Sequence, residues 1–267
     1  MLHLRAFRYE APDPLPAGYP FSTPFLAAFR EQQFTTPVTF LVGENGSGKS
    51  TFLESLAVAA DLPVAGGAGV RRDPTLDPVR PLARRLRLVW NRRVRKGFFL
   101  RAEDFFGYVK RLAETRAELE REMRESDERH KDRSDHARGL ARSPYVRELV
   151  AMRSQYQRDL GTVSHGESYI TFFQSRFVPG GLYLLDEPEA PLSPVRQLGF
   201  LSMLREMVAE NAQFIIATHS PIILAFPNAT ILSFDDGALA AVPYETLEHV
   251  KLTRDFLNNP ESFLRHL

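Results

Sequence analysis

The sequence predicts an α/β fold built on a mainly parallel sheet, and three observations predict it. Residues 38–42, 182–185 and 214–217 are short, unbroken apolar runs, the pattern of strands buried on both faces. Segments of helical composition alternate with these runs, as parallel strands require. The first run feeds straight into a glycine-rich loop, and the second ends in two carboxylates. The C-terminal ends of strands in such sheets are where ligands sit.

The elements follow in order. Residues 1–9 alternate loosely and read as a first strand. Residues 10–24 carry Pro12, Pro14, Pro16, Pro20 and Pro24 and read as a loop. The strand at 38–42 is followed by the glycine loop and a helix over 49–60. Residues 61–81, rich in Pro and Gly, are expected to form a mobile surface loop. Leu86, Leu88 and Trp90 alternate with polar or branched neighbours, and Phe98, Phe99 and Leu100 follow a Lys96-Gly97 turn. This predicts a half-buried hairpin over 84–101 with arginines outward. Residues 108–142 are helical in composition and heavily charged, with 126–142 expected to be poorly ordered. Pro144 fits the first turn of a further helix running to about Leu160. A helix over 166–177, the strand at 182–185, a helix over 193–210 and the strand at 214–217 come next. Asp235-Asp236-Gly237 marks a hairpin turn between 229–234 and 238–242, and the last 25 residues look helical.

Composition narrows the classes. At 267 residues and 43% hydrophobic, the chain can bury a substantial core. The net charge of +1 selects no partner. Without cysteine there is neither a disulfide nor a thiolate zinc site. The first residues lack the apolar core of a secretory signal, and no stretch approaches the ~20 apolar residues of a membrane span. The expectation is a cytoplasmic protein that does not insert into membranes.

Four short motifs carry the chemistry. Gly43-Glu44-Asn45-Gly46-Ser47-Gly48-Lys49-Ser50, continued by Thr51, matches G-x-x-x-x-G-K-[ST] in full between a strand and a helix. Its glycines let backbone N–H groups curl around phosphate oxygens, and the helix presents its positive end to the same anions. Lys49 supplies a point charge, and the Ser50 hydroxyl is suited to Mg²⁺. Asp186 and Glu187 end the second buried strand: Asp186 would hold the metal, and Glu187 would act as general base on a water. Ser164-His165-Gly166-Glu167 opens a helix, an anion-binding arrangement of hydroxyl and free N–H groups. Thr218-His219 ends the third strand.

Together, in this order, these motifs resemble the ABC-type ATPases, with Walker A at 43–50 and Walker B at 182–187. Val163-Ser164-His165-Gly166-Glu167 is similar to the family's L-S-G-G-Q signature, departing at Val163, His165 and Glu167 but keeping Ser164 and Gly166. The resemblance implies ATP and Mg²⁺ as ligands and an ATP hydrolase. It also implies a head-to-tail, ATP-dependent homodimer in which each signature reaches the triphosphate of the other subunit. His219 corresponds to the family's switch histidine. Ala190-Pro191-Leu192-Ser193 falls at the D-loop, with Ser193 where the family has aspartate. No glutamine marks the Q-loop; Arg101-Ala102-Glu103 is the best substitute, with Glu103 near the metal. Phe7, Tyr9 and Phe34 are the aromatic candidates for stacking on adenine. The implied fold adds an antiparallel β arm and a helical signature lobe. In this single ABC-type domain, about 1–107 and 178–267 form the nucleotide-binding lobe, and about 108–177 the helical one.

Asp186-Glu187-Pro188-Glu189-Ala190 and Thr218-His219-Ser220-Pro221 resemble the stand-alone, non-transporter ATPases related to SMC and RecF-like heads, more narrowly a group of small bacterial predicted ATPases. Two functions stand open: an ATP-driven soluble machine acting on nucleic acid or an effector protein, or the nucleotide-binding subunit of a transporter with separate membrane chains. An ATP-gated dimerisation switch with negligible turnover is a third. Residues 71–101 hold eleven Arg or Lys against Asp73 and Asp77. They read either as a phosphate-neutralising stripe for DNA or as the solvated face of a hairpin.

Overall fold

In a computed structural model, residues 2–65, 73–155, 165–237 and 239–265 are described. The strands are β1 (Leu4–Tyr9), β2 (Glu31–Gln33), β3 (Val38–Val42), β4 (Leu86–Trp90), β5 (Gly97–Arg101), β6 (Leu182–Asp186), β7 (Gln213–Ala217), β8 (Thr230–Ser233) and β9 (Ala240–Ala241). The helices are α1 (Lys49–Ala60), α2 (Arg80–Ala83), α3 (Ala102–Arg129), α4 (Asp135–Gln155), α5 (His165–Arg176), α6 (Pro194–Ala209), α7 (Pro221–Leu224), α8 (Glu248–Asn258) and α9 (Pro260–Leu264).

The main sheet has the order β5-β6-β7-β3-β8-β9, parallel except for β9. Every residue of β3, β6 and β7 is buried, as their unbroken apolar sequences predict. The order places β7 between β3 and β6, so the glycine loop and the two carboxylates emerge on either side of the strand that leads to His219. A second, antiparallel sheet has the order β2-β1-β4. One side chain fastens it to the main sheet. The Gln213 Oε1 accepts the backbone N–H groups of His3 and Leu4, each at 2.9 Å, and its Nε2 donates to the Leu4 carbonyl at 2.9 Å. Gln213 is fully buried at the start of β7, and these bonds satisfy it there.

The core between the antiparallel sheet and α1 is aromatic. Phe7 stacks on Phe29 at 5.0 Å and meets the edge of Phe52 of α1 at 4.9 Å. Phe25 and Phe234 pack edge-on against Phe52 and each other. Phe7, Tyr9 and Phe34 all belong to this buried cluster. None offers a free face to a nucleotide base, which corrects the expectation of a stacking residue among them.

Four local expectations also change. The stretch 84–101 is not a hairpin: β4 pairs with β1 in the antiparallel sheet, whereas β5 pairs in parallel with β6. Alternation fixed the strand character of both runs but not their partners. Gly97 accommodates the close approach of β5 to β6, because a Cβ there would lie 1.8 Å from the Leu182 carbonyl oxygen. The described parts of 61–81 pack into the core through Leu62, Val64, Leu76 and Val79, and Val64 bridges Phe99. Residues 126–142 are mostly helical, interrupted only over 130–134. Pro144 lies inside α4, not in its first turn. Leu160, the expected end of that helix, lies outside the described residues.

The chain divides into two compact units. One comprises Met1–Ala102 and Phe177–Leu267; the other is Glu103–Arg176. In the second, Phe105, Tyr169, Phe172 and Phe173 form an edge-to-face aromatic core that joins α3 to α5. Arg142 of α4 reaches Asp127 of α3 at 3.6 Å. Exposed charge covers most of the two long helices, which matches their sequence.

Candidate functional site

The glycine loop turns out of β3 and into α1. Gly48 precedes the helix with φ 106°, and a Cβ there would come within 2.3 Å of Thr23. Glycine thus allows both the left-handed turn and the close packing of the 19–25 segment on the loop. The first N–H groups of α1 carry no side-chain cap, which leaves them available to an anion. Lys49 is buried, and its Nζ donates to the Gly43 carbonyl at 2.6 Å and the Glu44 carbonyl at 2.9 Å. Burial pushes its pKa below the ordinary lysine value, while Asp186, Glu187 and Asp235 pull the other way. Asp235 braces the loop from outside by accepting the Glu44 N–H at 3.1 Å.

Asp186 ends β6 almost fully buried. Burial raises its pKa to about 6; the Ser50 hydroxyl, bonded to it, opposes that rise, and Glu187 and Glu54 add to it. Its Oδ1 has no hydrogen-bond partner. A hydroxyl and a carboxylate side by side, with one carboxylate oxygen uncommitted, are hard oxygen donors of the kind Mg²⁺ takes. Among the described residues no group of three or more His, Asp or Glu could hold a metal, so a cation here would rest on few protein ligands. That is the usual mode for Mg²⁺ bound with phosphates.

Glu187 follows with φ 50°, a left-handed conformation uncommon outside glycine, and its side chain is exposed. Its N–H donates to the Ala217 carbonyl at 2.9 Å, so the exits of β6 and β7 are tied together. Glu189 tightens the same joint: its Oε1 accepts the His219 N–H at 2.7 Å, and the Thr218 hydroxyl also bonds to it. The sequence marks this carboxylate only as part of the Asp186–Ala190 variant and assigns it no role; it works through the backbone of another loop. His219 is held below the ordinary histidine pKa, first by burial and then by Lys49, and its Nε2 is buried without a partner.

Two cavities flank the loop within this unit. One, of about 340 Å³, is lined by Tyr19, Gly48, Lys49, Ser50, Thr51 and Glu187 among others. The Tyr19 hydroxyl lies 3.2 Å from Thr51 Oγ1, yet over half of the residue stays exposed. This aromatic comes from the proline-rich 10–24 stretch, where composition alone marks only a loop. The other cavity, of about 890 Å³, is lined by residues 43–47, His219, Asp235 and His249 among others.

The structure thus brings residues 43–51, Asp186, Glu187 and His219 into one unit, although they are far apart in sequence. Other expected site residues fall elsewhere. Glu103 is exposed in the first turn of α3, in the second unit. Ser164 lies outside the described residues. His165 starts α5, Gly166 is buried there, and Glu167 is half-buried. Arg101, at the expected Q-loop, is buried and engaged: it bonds to Glu54 at 3.0 Å and to Thr75 at 2.7 Å. Of the other basic residues of 71–101, Arg80 pairs with Asp77 and Arg87 with Glu10, whereas Arg84, Arg85, Arg92, Arg93, Arg95 and Lys96 are exposed.

No curated protein matches the chain. Among solved structures, cbiO1 from Clostridium perfringens, part of the ABC transporter complex cbiONQ, aligns with a TM-score of 0.51 at 15% identity, covering 99% of this chain and 100% of that one. The Smc head domain from Pyrococcus furiosus aligns with a TM-score of 0.47 at 12% identity, covering 96% and 100%. At such identity the first likeness is one of fold: the α/β architecture of an ATP-binding cassette, with a separate antiparallel sheet. Residues 38–143 and 169–225, more than half of the chain and including both the glycine loop and the His219 strand, match the family described as "AAA domain, putative AbiEii toxin, Type IV TA system", and the chain belongs to that family.

Proposed function

We propose that the protein binds and hydrolyses ATP with Mg²⁺ at a head-to-tail homodimer interface, and that hydrolysis drives a conformational change in a cytoplasmic machine linked to DNA or an effector protein. One observation carries the ATP site: Lys49, Ser50, Asp186, Glu187 and His219 converge on a single phosphate loop at the ends of β3, β6 and β7. The backbone N–H groups of residues 43–51 cradle the triphosphate, and Lys49 swings from its loop carbonyls to the β- and γ-phosphates. Ser50 and Asp186 would hold a Mg²⁺ ion, which would supply charge neutralisation for the triphosphate. Glu187 would take the proton of a water whose oxygen bonds to the γ-phosphorus as the bond to the ADP oxygen breaks, and His219 would position that water.

The dimer rests on the Ser164–Glu167 motif. In the resembled family, that motif has its counterpart across the subunit interface. We assign about 1–107 and 178–267 to the nucleotide-binding lobe and 108–177 to the helical lobe. The division of contacts at Ala102 and Phe177 supports this.

The test is ATP turnover by the purified chain, with sizing under Mg-ATP. Lys49→Ala should abolish nucleotide binding. Glu187→Gln should bind ATP, turn it over at least about a hundredfold more slowly, and accumulate as a dimer. A Glu187→Gln protein that binds ATP yet stays monomeric would overturn the shared interface. Lipid-dependent turnover, or co-purification with a membrane protein, would favour the transporter-subunit reading instead.

A further inference from the structure

We propose that His249, the second residue of α8, is a further ligand for the terminal phosphate, acting beside His219; this rests on the ATP site proposed above. The two imidazoles line the same 890 Å³ cavity, with ring centroids 6.4 Å apart at 65°. Residues 43–47 of the glycine loop line the same cavity.

Three polar atoms of this lining are buried and without partners: His219 Nε2, His249 Nε2 and Ser47 Oγ. Buried polar groups are normally satisfied, so three orphans on one cavity need a common explanation. An orphan nitrogen alone does not mark a ligand: His3 Nδ1 is also buried without a partner, but His3 does not line this cavity, and its Nε2 bonds to the Asn211 carbonyl at 2.7 Å. His219 and His249 are set apart by keeping Nε2 uncommitted on a cavity that the glycine loop also lines.

The ligand chemistry follows from the donors. A hydroxyl and two imidazole N–H groups can all donate to one oxyanion. Burial pushes the pKa of both histidines down, which favours the neutral imidazole, a form that can donate through one ring nitrogen. Asp235 is the carboxylate whose charge acts on both rings. Its oxygens are committed to the Glu44 N–H and the Ser233 hydroxyl at 2.8 Å. The start of α8, which has no side-chain cap, adds free backbone N–H groups at the same wall. No sequence motif marks His249, because it lies thirty residues beyond His219 on a helix of ordinary amphipathic pattern.

The test compares ADP with the non-hydrolysable β,γ-imido analogue of ATP, using the full chain. His249→Ala should weaken the triphosphate analogue by about tenfold and leave ADP within about twofold, since only the former has the terminal phosphate. His249→Gln, which keeps an N–H donor, should recover part of the loss. Combined with His219→Ala, the loss should be less than additive, as for two ligands of one group. Equal effects on both nucleotides, or on neither, would overturn the role of His249 while leaving the ATP site standing. Failure of the unaltered protein to bind either nucleotide would overturn both.

Discussion

Asp186 shows what a buried carboxylate at the proposed metal site costs the fold. Its carboxyl is raised to about 6 because it is buried at a strand end. A group whose folded pKa exceeds its unfolded value favours folding in the protonated form. Its contribution is therefore present below pH ~4, is lost as the pH rises to ~6, and is constant beyond. At neutral pH the ionised Asp186 costs the nucleotide-free fold on the order of 3 kcal/mol. Asp186→Asn should thus raise the unfolding temperature at pH 7.5, with the gain shrinking towards pH 4.5, while turnover disappears. An unchanged difference across that range in calorimetry would contradict the burial argument. Glu187 carries a second local cost in its left-handed backbone. Both residue types were legible in the sequence because a strand ending in two acids beside a phosphate loop has few other uses. Glu189, Tyr19 and His249 were not legible. Each acts through proximity to a loop distant in sequence, and no spacing rule encodes that.

At the scale of elements, two side chains decide how pieces join. Gln213 clamps β7 to β1 through three bonds to His3 and Leu4. Gln213→Leu would leave those backbone groups buried and unpaired, and should cost about 3 kcal/mol in denaturant unfolding. A loss below ~1 kcal/mol would mean that the antiparallel sheet is held by its aromatic core alone. Arg101 links the end of β5 to Glu54 of α1, and both side chains are nearly buried. Arg101→Met alone should destabilise by about 3–5 kcal/mol by removing the buried cation that Glu54 pairs with. Adding Glu54→Gln should recover most of that, because the uncompensated charge is gone. No recovery in the double variant would assign Arg101 a role outside this pair. The alternation in 84–101 predicted two strands correctly but paired them wrongly. Period two reports which faces are buried, and partner choice depends on non-local contacts.

At the scale of the whole molecule, seven exposed cations lie within 84–96, Arg87 among them although it pairs with Glu10, and they are a surface feature that speaks to a polyanionic partner. If DNA is bound there, affinity should fall steeply between ~50 and ~200 mM salt, by about tenfold or more for several phosphate contacts. A flat salt response in a fluorescence-anisotropy titration would leave these arginines as a solvated surface. Among the described residues, no helix is long and apolar enough to cross a membrane. The sequence by itself determined the strands β3, β6 and β7, the glycine loop between β3 and α1, and the two acids that end β6, because each depends on local periodicity or on a contiguous motif. Only the tertiary structure decided that β4 and β5 belong to different sheets, that Phe7, Tyr9 and Phe34 are core, and that His249 lines the same cavity as the glycine loop. Those outcomes rest on packing between segments up to two hundred residues apart, where burial and hydrogen-bond satisfaction override what any short stretch specifies.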